Sequence, residues 1–99
     1  MKKETKMDRL KNHLKEEWEH YQVKRKKFPK KYPDANAPIT ENRLRSLCRR
    51  SGEVGKSRTT EFIQALIDRD TLIEPKVIMI EEQRTWVFQI NDPEKWVDV

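Results

Sequence analysis

Six cations fall within the ten residues from Val23 to Tyr32, namely Lys24, Arg25, Lys26, Lys27, Lys30 and Lys31, interleaved with Phe28 and Tyr32. Lys and Arg at this density neutralise phosphates and release counterions, and an aromatic ring offers a face on which a base stacks. The same cations would also complement a helix C-terminus. Phosphate contact is the preferred reading. A second group, Arg43, Arg45, Arg49 and Arg50, lies within one short segment and is followed by Lys56-Ser57-Arg58.

Other chemistries are poorly served. His13 with Glu17, and Glu16 with His20, stand four apart on a helix, but a metal needs three or four convergent ligands, and Cys48 is the single cysteine. Neither histidine is placed near Cys48 to act as its base, so a buried structural thiol is expected. The carboxylates are scattered, without the clustering of a hydrolytic site. Gly55-Lys56-Ser57 imitates the end of a phosphate loop, but that pattern requires glycine where Arg50 stands and a preceding strand. We expect no enzyme, metal, cofactor or small-molecule substrate.

Whatever positions these cations must be small. The chain has 99 residues, 39% charged and 34% apolar, with a net charge of +5. A single domain over 1–99 is expected, with no room for a full dinucleotide-binding fold. It has no long apolar run, and the basic start leads into more charge, so a soluble, intracellular (cytoplasmic) protein without membrane contact is expected. The charge is divided unevenly: residues 1–50 hold 16 basic and 7 acidic side chains, residues 51–99 hold 6 and 10. The first half faces a polyanion, or else the surface is the solubilising one of a heat-adapted protein.

Met7, Leu10, Leu14, Trp18, Tyr21 and Phe28 recur at helical spacing, which predicts an amphipathic helix over 6–28. Pro29, Pro33 and Pro38 predict an irregular connector over 29–39. Thr40 is an N-cap and Ile39 with Leu44 a hydrophobic staple, so a second helix begins there, with Gly52 closing it. After a turn over 53–57, Ser57 is expected to cap a third helix from Arg58 to Arg69, its stripe Phe62, Ile63, Leu66 and Ile67, with Thr59 and Gln64 facing outward. Two β-rich runs, Val77 to Ile80 and Thr85 to Ile90, flank a charged tip and predict a hairpin whose Trp86, Phe88 and Ile90 cover the helices. In the tail, 91–99, Trp96 and Val97 are expected to fold back.

Helix, turn, helix and hairpin over 40–90 resemble a winged helix-turn-helix domain. The order of elements carries the resemblance, with phrases such as Ala65-Leu-Ile-Asp-Arg-Asp-Thr-Leu-Ile-Glu, similar to the passage from recognition helix to first wing strand in small archaeal, viral and bacterial regulators. The fold class implied is α+β, mainly helical, with a long helix added at the N-terminus and a C-terminal wing. The richness in Lys, Arg and Glu is similar to proteins of archaeal viruses or plasmids, which would place the chain inside an infected host cell.

The resemblance implies sequence-specific binding of double-stranded DNA by a small transcriptional regulator, with the helix over 58–69 in the major groove. Arg58 would read guanine and Gln64 adenine, with Ser57, Thr59 and Thr60 on phosphates or thymine methyls. Arg43, Arg45, Arg49, Arg50 and Lys56 would hold flanking phosphates, the Lys24 to Lys31 patch would extend the footprint, and Arg84 would reach a minor groove. Glu61, Asp68, Glu81 and Glu82 oppose this by repelling phosphate. An acidic wing instead suits a protein-docking adaptor in replication, transcription or virion assembly, the alternative reading. The N-terminal helix stripe serves the monomer's core, a homodimer interface, or both.

Overall fold

The computed structural model describes residues 5–53 and 55–97. Met1 to Glu4, Val54 of the expected turn, and Asp98 and Val99 of the tail lie outside the described residues, as does the side chain of Ile80.

Three helices and a three-stranded antiparallel sheet make an α+β arrangement compatible with a winged helix: α1 Lys6–Lys27, β1 Ala37–Thr40, α2 Glu41–Arg50, α3 Lys56–Asp68, β2 Leu72–Ile80 and β3 Gln83–Ile90, then a short 3-10 turn Pro93–Lys95. Helix α1 starts at a capping box, in which Asp8 N–H donates to Thr5 Oγ1 and Thr5 N–H to Asp8 Oδ2, both at 3.1 Å. Leu10 and Leu14 are fully buried, and Met7, Trp18 and Tyr21 pack on the same core. Phe28, expected on this stripe, is the C-cap residue instead and is 58% exposed, because the helical spacing ends at Lys27.

The connector is more ordered than its prolines suggest. Ala37–Thr40 form β1, paired from Ala37↔Ile90 to Thr40↔Val87. Pro38 is tolerated because β1 is an edge strand, where a missing N–H breaks no ladder. Upstream, Tyr21 Oη donates to the Asp34 carbonyl (2.9 Å) and Gln22 Nε2 to that of Ala35 (2.8 Å), strapping the connector to α1.

Thr40 caps α2 as expected, accepting from Arg43 N–H, and Ile39 and Leu44 share the core. Both later helices end in Schellman motifs. At α2 the left-handed residue is Gly52 (φ 103°), with Gly52 N–H donating to Arg49 O and Glu53 N–H to Cys48 O. At α3 it is Asp70 (φ 57°), with Asp70 N–H donating to Ile67 O and Thr71 N–H to Leu66 O.

Strand order is β1-β3-β2. At the base of the hairpin, Phe88 and Ile90 join Leu72, Ala37 and Ile39 under the helices. Trp86, expected to cover the helices with them, lies beyond their reach and is 50% exposed. The tip is the two residues Glu81-Glu82, not the four-residue charged loop expected, and β2 runs through Pro75 by way of a bulge between Ile73 and Lys76. Trp96 packs against the core, its Nε1 donating to Asn91 O, while Val97 is held by its N–H to Arg69 O. No helix among the described residues is long and apolar enough to cross a membrane.

Candidate nucleic-acid interface

Arg45 and Arg49 stand four apart on α2 and so share one face. The α2–α3 turn brings the first turn of α3 against that face. Its geometry is set by buried groups: Ser51 Oγ donates to the Leu47 carbonyl at 2.9 Å, and the Glu53 carboxylate, 7% exposed, accepts from Gly55 N–H (3.3 Å) and pairs with Lys6 of α1 (3.7 Å). The result is an open concavity of about 320 Å³ lined by Arg45, Arg49, Lys56, Ser57, Thr59 and Thr60.

Helix α3 begins two residues earlier than expected, at Lys56, which corrects the role of Ser57: the N-cap is Gly55, which has no side chain with which to cap. The first turn carries no acidic residue either. Its N–H groups, which have no partner inside the helix, therefore keep their positive end of the dipole beside Arg45, Arg49 and Lys56. Arg49 and Lys56 have no ion pair among the described residues, whereas Arg45 bonds Glu41 at 3.0 Å. An oxyanion is the natural complement of such a surface.

Thr59, expected to face outward, is buried at 5% exposure, so it forms the floor of the concavity instead of projecting from it. Thr60 donates its hydroxyl to the Lys56 carbonyl at 3.1 Å. Further along α3, Arg58 pairs with Glu61 (3.3 Å) and Gln64 Nε2 donates to Asp68 Oδ1 (3.0 Å), both on the exposed face. These acids, which as free charges would repel a phosphate, hold the two side chains expected to read bases. Exposed pairs of this kind contribute about 0–1 kcal/mol, so a ligand displaces them cheaply.

The remaining cations are dispersed. Arg43 turns to the opposite face of α2, where Nε and Nη2 donate to Glu17 of α1, and with His20, Tyr21, Lys24 and Tyr32 it borders a different hollow. Arg50 is exposed outside the concavity, and Arg84 sits on the outer hairpin opposite Met79. Lys24, Arg25, Lys26 and Lys27 form the last turn of α1, with Lys30 and Lys31 in the turn after it. Because α1 lies antiparallel to α2, with Lys6 at Glu53 and Glu17 at Arg43, and is about 33 Å long, this patch stands at the far end from the start of α3. There Tyr32 meets Tyr21 edge to face at 5.7 Å, and the Lys31 ammonium lies over the Tyr32 ring.

Burial pushes the Cys48 thiol up to about 11, which keeps it protonated and unreactive near neutral pH. No group of His, Cys, Asp and Glu among the described residues could hold a metal ion.

Sequence reasoning found each cation but missed the capless glycine and the Glu53 clamp. Glu53-x-Gly55 before a helix was the available signal. No protein-family model, curated protein or solved structure matches the chain.

Proposed function

We propose that the protein binds double-stranded DNA as a small winged-helix transcriptional regulator, with α3 entering the major groove and the α2–α3 concavity seating a backbone phosphate. The observation that supports this best is the convergence of Arg45, Arg49 and Lys56 on the first turn of α3, which carries no acidic residue and no side-chain cap, while the nearby Glu53 carboxylate is engaged by Gly55 N–H and Lys6. Phosphate contacts there fix register, and Arg58 and Gln64, two and eight residues beyond Lys56 along α3, are left to read base edges. Selection of bound duplexes from a random pool tests the reading. A defined consensus is expected for the wild-type chain, with Arg58→Ala losing discrimination at one position by about 1–3 kcal/mol; a pool that stays random would refute sequence-specific binding.

The adaptor reading is supported by a different surface, the apolar outer hairpin. It calls on different residues, so both can be tested in one chain.

A further inference from the structure

The outer half of the hairpin exposes a cluster of large apolar side chains beside its two cations, Lys76 and Arg84. Val77, Met79 and Trp86 are 46%, 65% and 50% exposed, and Ile78 is 42% exposed. Val77 pairs with Trp86 and Ile78 with Thr85, and side chains alternate along a strand. Val77, Met79 and Trp86 therefore share the face that continues the core, and Ile78 occupies the reverse face.

The backbone there is open as well. Strand β2 is at the sheet's edge, and β1 covers β3 only as far as Val87. Glu81 and Glu82 both have positive φ (48° and 64°), as in a two-residue type I′ turn, so Ile80 and Gln83 flank it as a hydrogen-bonded pair. Counting back along β2, Ile78 aims its N–H and C=O at β3, while Val77 and Met79 aim theirs outward. Towards the base, Pro75 and the bulge interrupt the edge. What remains is a short segment, Lys76 to Ile80, apolar after its lysine, with outward main-chain groups that pair with no strand among the described residues.

We propose that this edge is a dimer interface, pairing antiparallel with the same edge of a second copy about a two-fold axis at Ile78. The register follows from the outward groups. Val77 of each copy exchanges two hydrogen bonds with Met79 of the other, giving a continuous six-stranded sheet. Val77, Met79 and Trp86 of both copies gather on one face, and the two Ile78 side chains meet on the other. Lys76 is brought opposite position 80 of the second copy, beside that copy's Glu81. Neither Lys76 nor Glu81 has an ion pair within its own chain among the described residues, and the two-fold makes this charge match twice. An unrelated apolar strand would satisfy the edge but not this pairing of charges. A hairpin contact falls at or below about 1,200 Å², so a weak dimer is expected. The N-terminal helix is a poorer interface, since Leu10 and Leu14 of its stripe are already buried.

The proposal does not rest on DNA binding, and its test uses no DNA. Sedimentation equilibrium of the full chain, from micromolar to submillimolar concentration, should reach twice the 12.0 kDa chain mass. Val77→Pro deletes only an outward N–H in each copy and should raise the dimer dissociation constant about tenfold or more, with unchanged circular dichroism. Independently, Ile78→Cys should form a disulfide-linked dimer on mild oxidation, because the two positions face each other as a close non-hydrogen-bonded pair, while Thr85→Cys, two strands further apart, should not. A chain that stays monomeric throughout, or an Ile78→Cys variant that fails to cross-link, would overturn the proposal.

Discussion

The α2–α3 concavity and the outer hairpin are both exposed, both next to α3 in sequence, and opposite in chemistry. The first gathers cations around helix N–H groups and has a buried floor. The second gathers Val77 and Met79 of an open edge strand with Trp86 of the strand beside it and ends in two glutamates. A net charge of +5 averages over this difference. What the contrast teaches is that a small domain can present a cationic and an apolar surface at once, provided that a shared core fixes both. Leu66 of α3 and Leu72 of β2 are nearly inaccessible, six residues apart, and form that joint.

The largest expected effect separates the hairpin's base from its outer half. Ile90→Ala removes a fully buried side chain and should cost about 2–5 kcal/mol in urea unfolding, whereas Ile78→Ala, at dilute concentration, should stay within about 0.5 kcal/mol. Similar costs at both positions would mean that the outer half belongs to the core. A smaller effect of opposite sign is expected at the joint. Thr71 is fully buried and its Oγ1 has no hydrogen-bond partner among the described residues, so Thr71→Val should stabilise by about 1 kcal/mol in the same assay. Destabilisation there would show that the hydroxyl is satisfied. Smallest is Glu61→Gln on the exposed face of α3, which breaks the Arg58 pair. Its thermal midpoint should barely move, by less than about 0.5 kcal/mol in stability, while duplex affinity rises as a repelling charge is removed.

Much of this architecture was legible because it depends on local signals. The spacing from Leu10 to Tyr21, the Thr40 cap with its staple, and Gly52 after α2 each fix an element through nearby residues. Features set by tertiary pairing were not. Strand β1 exists only because β3 offers Phe88 and Ile90 as partners, and three prolines hid it. Asp70 ends α3 in a conformation that glycine more often adopts, so its sequence gave less warning than Gly52 did. For the site, charge type could be read residue by residue, but the facing of each side chain could not. Arg43 and Arg45 are two apart, and helical geometry sends one to Glu17 of α1 and the other to α3. Thr59 stands four before Ile63 and seven before Leu66, so it continues the buried stripe of α3 into the first turn, although its polar type suggests a surface position.

If the α2–α3 concavity seats a phosphate as proposed, Arg49 and Lys56 carry salt-dependent affinity that the dispersed cations do not. Fluorescence anisotropy with a duplex across a salt series measures it directly, comparing wild type with the Arg49→Ala, Lys56→Ala double variant. For the wild-type chain the logarithm of the association constant should fall linearly with log salt, and the double variant should reduce that slope by about 2, one for each lost phosphate contact. An absence of binding at low salt, or a double variant with the wild-type slope, would contradict the account.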